Sequence, residues 1–307
     1  MSIAIETKGL TKQFGAHKAV NDINIKVKKG AVCGFLGKNG AGKTTTIKMM
    51  VGLSKPTVGE ISLLGSVRKH GNNDNSRIGY LPDVPNFYGY MTAREYLEFC
   101  AKLYNFDNTK LKERIDECLK QVSMHDVKTK ISTFSRGMKQ RLGIAQALIN
   151  KPEIIFLDEP VSALDPMGRH DIMALIKSLQ GTTTIFFSTH ILSDVEDICD
   201  HILIIEKGKI LADDSMFNLK QKYAENVAML KLFSADDAKR FISIIESNKE
   251  FSFDKINPCE ILLRSDNIHS LSKSMMSLLV EANISIESFK VYTPSLEDIF
   301  LEVTNNA

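Results

Sequence analysis

Apolar and polar positions alternate over residues 1–30, with a turn signal at Phe14-Gly15. Alternation with a period of two is typical of strands with one buried face, so this segment predicts short strands in an antiparallel layer. Residues 31–82 change character and predict a buried strand, a helix and then two further strands. These elements are expected at Ala31–Leu36, Thr44–Leu53, Gly59–Leu64 and Arg77–Leu81.

Helical periodicity replaces the strand patterns from Thr92 to about Ile149. Strands then return on either side of a further helix. The predicted helices are Ala93–Leu103, Leu111–Val122, Met138–Ile149 and Gly168–Leu179, and the predicted strands are Ile154–Leu157 and Thr184–Phe187. Buried β-branched runs separated by helices are typical of a parallel sheet covered on both faces. The pattern therefore predicts an α/β core with an inserted helical block, about residues 85–150.

A second pattern begins near residue 222, after a hairpin at Ile202–Leu211. Its predicted order is β-α-β-β-α-β, which is typical of a ferredoxin-like α+β domain. The strands are expected at Val227–Phe233, Phe251–Ile256, Glu260–Leu263 and Ile284–Val291, and the helices at Ala235–Ser247 and Ile268–Ala282, with a short closing helix at Ser295–Val303. We therefore expect two domains, 1–221 and 222–307.

The composition of the 307 residues limits the classes of function that the chain could have. A net charge of +2 gives no electrostatic case for binding nucleic acid or acidic lipid. The five cysteines are scattered without C-x-x-C spacing, which argues against zinc and disulfide sites and fits a reducing cytoplasm. We expect no signal peptide, and no apolar run approaches the roughly 20 residues that span a bilayer. A role at a membrane would therefore require another chain as anchor.

The loop at residues 37–44 reads G-K-N-G-A-G-K-T and fits the phosphate-binding pattern G-x-x-x-x-G-K-[ST]. Its glycines let backbone N–H groups converge on phosphate oxygens, and the helix that follows adds its positive dipole end. Lys43 would reach the β- and γ-phosphates, and the Thr44 hydroxyl would bind Mg²⁺. The alternative is a glycine turn beside a surface lysine, which the flanking strand and helix disfavour. The sequence thus predicts that the chain binds a nucleoside triphosphate.

Polar side chains follow the next two predicted strands of the core. Asp158 and Glu159 come directly after Ile154–Leu157, and His190 lies just beyond Thr184–Phe187. Because ligands of parallel sheets bind beyond the carboxyl ends of strands, we expect these residues beside Lys43. Asp158 would hold Mg²⁺, through water, and Glu159 would polarise water for attack on the γ-phosphorus. Taken singly, each is more simply an ordinary polar residue at a strand end.

Together these motifs resemble the ATP-binding subunit of ABC transporters, essentially from end to end. The resemblance implies a P-loop NTPase cassette core with an antiparallel β layer and an inserted helical subdomain, followed by the ferredoxin-like domain. It implies that Phe14 stacks on adenine, that Asp165 belongs to the D-loop, and that His190 contacts the γ-phosphate. Ile154–Glu159 match Walker B with its catalytic glutamate. Walker A corresponds to Gly37, Lys38, Asn39, Gly40, Ala41, Gly42, Lys43, Thr44 and Thr45.

Phe134–Met138 occupies the place of the family's signature segment. In that family the segment binds the ATP that the opposite subunit holds. A hydroxyl at Ser135, a bare backbone N–H at Gly137 and a helix N-terminus suit that task. The resemblance therefore implies two cassettes that close on two ATP molecules, so that this chain pairs with a second copy or a homologue.

Several positions depart from the family pattern. Arg136 and Met138 replace usual signature residues, and Lys38 replaces the usual Walker A proline. Asp83 stands where the Q-loop glutamine is expected. A carboxylate can ligate Mg²⁺ but cannot donate a hydrogen bond while ionised, and the alternative for Asp83 is a polar turn residue. The acidic Q-loop, the signature and the segment Pro294–Phe300 resemble the branch that serves bacitracin resistance, lantibiotic immunity and multidrug efflux.

The resemblance implies an ATPase, with ATP and Mg²⁺ as cofactors, at the cytoplasmic face of the cell membrane. It would drive export of antimicrobial peptides or drugs through integral membrane permease subunits docked on the helical block, with no nucleic-acid partner. One alternative is a soluble cassette ATPase that acts on ribosomes or DNA, although the chain has neither a second cassette nor a basic arm. Another is a nucleotide-gated regulator whose 222–307 domain binds a small ligand, although no group of residues there suggests a site.

Overall fold

The computed structural model describes residues 2–69, 75–104, 108–162, 164–223, 227–246, 252–265, 267–291 and 294–305. The strands are β1 (Ile3–Phe14), β2 (His17–Lys28), β3 (Val32–Leu36), β4 (Val58–Leu63), β5 (Ser66–Val67), β6 (Ile78–Leu81), β7 (Ile154–Asp158), β8 (Thr184–Thr189), β9 (His201–Glu206), β10 (Lys209–Ser215), β11 (Val227–Leu232), β12 (Ser252–Asn257), β13 (Glu260–Arg264) and β14 (Ile286–Val291). The helices are α1 (Lys43–Met50), α2 (Ala93–Lys102), α3 (Asn108–Gln121), α4 (Arg136–Leu148), α5 (Pro166–Ser178), α6 (Ser193–Glu196), α7 (Met216–Lys222), α8 (Ala235–Glu246), α9 (Ile268–Glu281) and α10 (Leu296–Asn305).

The central sheet has the strand order β10-β9-β3-β8-β7-β6. Its strands from β9 to β6 run parallel, and β10 pairs antiparallel with β9. Every residue of β3, β7 and β8 is buried, as a sheet covered on both faces requires. The predicted parallel core is confirmed, and the carboxyl ends of its strands meet at one edge.

An antiparallel layer with the order β2-β1-β4-β5 packs on this core. The predicted layer is confirmed, but its first two strands are each 12 residues long rather than short. Their register shifts at several places, which lets one continuous strand absorb the breaks in the alternating pattern. Apolar residues of the layer and of the central sheet share one core, which includes Ile5, Ile25, Phe35, Phe156 and Phe186.

The helical block consists of α2, α3 and α4. Thr92 and Glu95 form a capping box at the start of α2, where the sequence predicts a helix. The helix α4 begins at Arg136 rather than at the predicted Met138, because the Ser135 hydroxyl accepts the Met138 N–H and so caps the helix. The guanidinium of Arg114 is buried and donates to the carbonyl of Ile149 at 3.1 Å, which joins α3 to the end of α4.

The chain divides into two compact units, one of residues 1–216 with 300–307 and one of Phe217–Ile299. In the second unit the order of elements is β-α-β-β-α-β and the antiparallel sheet has the order β12-β13-β11-β14, so the ferredoxin-like prediction is confirmed. Its core includes Leu230, Phe241 and Met275. The predicted strand start at Phe251 and helix end at Ser247 lie outside the described residues. The domain boundary at residue 222 stays a prediction.

Candidate nucleotide-binding site

The glycine-rich loop between β3 and α1 has a backbone that only glycine adopts readily at two positions. Gly40 and Gly42 have φ angles of 83° and 113°, in the left-handed region. A Cβ atom on Gly42 would lie 2.5 Å from the carbonyl oxygen of Ala19, and one on Gly37 would lie 2.5 Å from that of Ile205. The loop therefore packs directly against neighbouring backbone. The loop leads directly into the N-terminus of α1. The first N–H groups of this helix have no intrahelical acceptors and can therefore donate hydrogen bonds to phosphate oxygens.

The first residue of α1, Lys43, points back over this loop. Its side chain is only 6% exposed, and its Nζ lies 2.6 Å from the carbonyl oxygen of Gly37 and 3.3 Å from that of Lys38. The same Nζ lies 3.2 Å from Glu159 Oε1. The loop thus holds one buried cation at the position where the sequence predicts phosphate binding.

Glu159 and His190 complete a continuous chain of side chains at this edge of the sheet. Glu159 Oε2 lies 2.8 Å from His190 Nδ1, while the other oxygen of this carboxylate faces Lys43. The segments that follow three separate strands, β3, β7 and β8, thereby bring a cation, a carboxylate and an imidazole, respectively, to one place. Glu159 has a φ angle of 49°, which is uncommon for a residue with a Cβ atom and points to a functional constraint on its backbone.

Asp158, the last residue of β7, has no exposed surface. Its Oδ1 accepts the Ser188 hydroxyl at 2.6 Å, while Oδ2 is buried without a hydrogen-bond partner within the described residues. Burial raises the pKa of Asp158, and the nearby carboxylates of Asp83 and Glu159 raise it further. Hydrogen bonds from the hydroxyls of Ser188 and Thr44 lower this pKa but do not cancel the rise. A buried oxygen left unpartnered next to the Thr44 hydroxyl fits Mg²⁺ or a water that Mg²⁺ carries.

Asp83 lies two residues beyond β6, which pairs with β7. Its side chain is exposed, yet its charge acts on Asp158 and on Tyr80. Burial, with contributions from Asp158 and Asp83, raises the pKa of Tyr80 to about 12. Asp83 is therefore an electrostatic neighbour of the proposed metal site, and ligation of Mg²⁺ by its carboxylate stays a prediction.

Four other predicted site residues, Phe14, Ser135, Gly137 and Asp165, lie at the end of β1 and at the starts of α4 and α5. Phe14, at the end of β1, is 55% exposed, and its ring lies 5.0 Å from the Lys12 ammonium. Ser135 and Asp165 are the N-caps of α4 and α5, and a Cβ on Gly137 would lie 3.0 Å from Leu164 of the D-loop. Within the described ranges, no hydrogen bond or ion pair joins Ser135 or Asp165 to Lys43, Glu159 or His190.

Of the remaining predicted site residues, Lys38 and Asn39 are exposed in the loop, Ala41 is buried in it, and Thr44 and Thr45 are half-buried in the first turn of α1. Ala163 of the D-loop lies outside the described residues. Sequence analysis did not single out Ser188, which contacts both Asp158 and Glu159. The signal in the sequence is a hydroxyl that directly follows the predicted strand Thr184–Phe187 and stands two residues before His190.

Two family profiles match the chain. The ABC transporter profile matches residues 20–162, and the profile of the C-terminal domain of DrrA1-3-like ATP-binding proteins matches residues 215–304. The fold, the phosphate loop and the chain of charged residues at the sheet edge all fit these matches. The chain belongs to the ATP-binding subunits of ABC transporters, and it is an ATPase of that family.

Characterised relatives and a solved structure cover most of the sequence. The bacitracin transport ATP-binding protein BcrA of Bacillus licheniformis is 39% identical over 99% of this chain and 98% of its own length. The linearmycin resistance ATP-binding protein LnrL of Bacillus subtilis is 33% identical over 98% of both chains. The cassette MJ0796, solved as a dimer in a post-hydrolysis state with ADP and Pi, is 26% identical, with a TM-score of 0.63 over 69% of this chain and 98% of its own. These relatives favour transport over the ribosome- or DNA-acting alternative.

Proposed function

We propose that this chain is the ATP-hydrolysing subunit of an exporter and that its site works through the Lys43–Glu159–His190 chain. That chain is the observation that carries the proposal, because it sets a buried cation, a carboxylate and an imidazole within hydrogen-bond distance at the end of the phosphate loop. Lys43 binds the β- and γ-phosphates, and His190 contacts the γ-phosphate. Glu159 orients and polarises the attacking water and takes up its proton.

The metal site is built from Thr44 and Asp158, with Asp83 close enough to act on it electrostatically. Mg²⁺ there would neutralise charge on the β- and γ-phosphate oxygens as the terminal bond breaks. Asp158 supplies the buried Oδ2, either directly or through water, and the Thr44 hydroxyl supplies a second oxygen.

The proposed cargo is an antimicrobial peptide or a drug, moved outward. Bacitracin transport and linearmycin resistance are functions of two relatives that align over nearly the whole chain. The acidic residue Asp83 at the Q-loop position fits the same branch. The cargo pathway would lie in the permease rather than in this chain.

Two copies of the chain are proposed to close on two ATP molecules. MJ0796 forms such a cassette dimer with hydrolysis products bound. Ser135 is exposed at the N-terminus of α4 and makes no contact with the catalytic chain of its own subunit within the described residues. That placement leaves its hydroxyl and the positive end of α4 free to bind the triphosphate held by a second copy.

The membrane permease is proposed to dock on an exposed apolar patch on α2 and the segment that precedes it, defined by Val84, Tyr88, Tyr90, Phe99 and Leu103. All five side chains are at least 40% exposed, and Tyr88 contacts both Tyr90 and Phe99 with ring centroids 5.8 Å apart. Exposed apolar patches of this kind mark interaction surfaces. Asp83 lies next to the patch in sequence and links it to the nucleotide site. Docking there would hold the subunit at the cytoplasmic face of the membrane. None of the described helices is long and apolar enough to cross a bilayer.

The proposed transport function is tested by antibiotic resistance in cells that lack the gene for this chain. We expect the wild-type chain, expressed with its permease, to restore resistance to bacitracin-like or linearmycin-like compounds, and Lys43→Ala to abolish it. Lys48→Ala is the matched control, because Lys48 is an exposed lysine on the same helix. Resistance that is independent of Lys43, or absent with the wild-type chain against bacitracin-like and linearmycin-like compounds alike, would contradict the proposal.

A further inference from the structure

Ser188 occupies the middle of the catalytic edge. It is fully buried near the end of β8, the strand that lies between β3 and β7. In the parallel register it pairs with Phe35 on one side and with Asp158 on the other. Its side chain therefore lies beside the end of β7, while its strand continues directly to His190.

The Ser188 hydroxyl contacts two consecutive site residues at once. It donates to Asp158 Oδ1 at 2.6 Å and accepts the backbone N–H of Glu159 at 3.0 Å. The carbonyl oxygen of Ser188 accepts the same N–H at 3.2 Å. One side chain thus fixes the orientation of the Asp158 carboxylate and the position of the Glu159 backbone.

These two hydrogen bonds have different consequences for the site. Because Oδ1 of Asp158 is occupied by Ser188, Oδ2 is the oxygen that remains available to a metal or its water. The N–H bond holds Glu159 in its left-handed backbone conformation, from which its carboxylate reaches both Lys43 and His190. Loss of the hydroxyl would leave the Asp158 carboxylate with only the Thr44 hydroxyl beside it, and the backbone N–H of Glu159 bonded only to the Ser188 carbonyl.

We propose that Ser188 is a positioning residue of the ATPase site, whose hydroxyl selects the metal-facing oxygen of Asp158 and holds Glu159 in its reactive orientation. This rests on the functions proposed above for Asp158 and Glu159. Because the Ser188 hydroxyl is fully buried against Asp158 and Glu159, we expect it to act on the chemical step and on the metal rather than on ATP affinity.

The experiment compares Ser188→Ala with Thr7→Val. Thr7 is a matched control because it is also a buried hydroxyl on a strand, donating to the Ile23 carbonyl at 3.1 Å and accepting the Ile25 N–H at 3.0 Å. Both variants lose one donor and one acceptor, so both should lose a similar amount of stability against urea. Only Ser188→Ala should change ATP hydrolysis and metal binding.

For Ser188→Ala we expect kcat to fall about tenfold or more, while KM for ATP stays within about threefold of the wild-type value. Affinity for Mn²⁺ in the presence of ADP, followed by electron paramagnetic resonance, should weaken several-fold, whereas affinity for metal-free ADP should not change. A Ser188→Ala protein whose kcat and Mn²⁺ affinity equal those of Thr7→Val overturns the proposal.

If Ser188→Ala does not fold, the pair Ser188→Thr and Ser188→Val gives the same test, because the two side chains have the same shape and only threonine keeps the hydroxyl. We expect activity to be retained in the threonine variant and lost in the valine variant, and equal activity of the two overturns the proposal. Rapid ATP hydrolysis by Glu159→Gln would contradict the proposed catalytic function of Glu159, on which the proposal for Ser188 rests. An inactive Glu159→Gln protein together with a fully active Ser188→Ala protein would remove only the assignment of Ser188.

Discussion

At the scale of single residues, Asp158, the proposed metal-binding acid, lowers the stability of the metal-free fold. Asp158 is fully buried, and burial raises its pKa above the ordinary value. The unfolded chain therefore releases this proton at a lower pH than the folded chain does, and stability falls as pH rises through the interval between the two pKa values. Each pKa unit between the folded and unfolded values lowers the free energy of unfolding by about 1.4 kcal/mol once Asp158 is ionised in both states.

We predict that Asp158→Asn raises the free energy of unfolding of the metal-free and nucleotide-free protein at neutral pH by about 1 kcal/mol, while it abolishes ATPase activity. Asparagine keeps an oxygen for the Ser188 hydroxyl but carries no charge to bury. Urea unfolding in EDTA from about pH 5 to about pH 8 measures the effect, which should grow with pH until Asp158 is fully ionised.

Asp197→Asn serves as the control for Asp158→Asn, because Asp197 is exposed and should change stability little at any pH. A metal-free Asp158→Asn protein that is less stable than the wild type at neutral pH would show that the ionised carboxylate stabilises the fold. In that case burial would not be its dominant effect.

The sequence predicted the charged residues of the site but not the serine that holds them. Lys43, Glu159 and His190 were expected together because each follows a buried strand, and parallel strands end at one edge. The contact of Ser188 with Asp158 depends on the register of β7 against β8, which strand patterns alone do not determine. A serine next to an apolar strand does not indicate a functional role until the residue that its hydroxyl contacts is known.

At the scale of single elements, the start of α4 has two tasks that mutation can separate. Ser135 caps the helix by accepting the Met138 N–H at 3.2 Å, and it is also proposed to bind the ATP held by a second copy. We predict that Ser135→Ala lowers the free energy of unfolding by about 1 kcal/mol and also weakens ATP-dependent dimerisation.

Ser135→Asp should keep the cap, because a carboxylate accepts the same N–H and suits the positive end of the helix. Its charge would repel the triphosphate, so we expect a stable protein that does not dimerise with ATP. Urea unfolding and size-exclusion chromatography with ATP give the two readouts. Dimerisation of Ser135→Asp at wild-type ATP concentrations would show that Ser135 is only a helix cap.

The observed ends of helices and strands largely agree with those predicted from the sequence, except where specific hydrogen bonds extend an element. The helix α4 starts earlier than its apolar pattern because a side-chain cap extends it to Arg136. Strands β1 and β2 run longer than expected because register shifts absorb the irregular positions. In the second unit the alternation of strands and helices was sufficient to predict the order of elements, and the sheet order followed from the structure.

At the scale of the whole molecule, the proposed ATPase cycle needs two copies of the chain, because each copy has one phosphate loop in its sequence and one segment, Phe134–Met138, that is proposed to bind the ATP of the other copy. ATP would hold the copies together, and hydrolysis would release them. The proposed catalytic carboxylate would link these events, because Glu159 contacts both Lys43 at the phosphate loop and His190 just beyond the end of β8. Blocking hydrolysis without blocking ATP binding should therefore trap the closed pair.

The most direct test of this account is the behaviour of purified Glu159→Gln protein with ATP and Mg²⁺. The amide keeps the shape of the side chain but cannot take up a proton from water, so we predict a fall in kcat of at least about a hundredfold with ATP binding retained. Size-exclusion chromatography should show an ATP-bound homodimer that the wild type forms only transiently. Hydrolysis at the wild-type rate, or a variant that binds ATP and stays monomeric, would contradict the account.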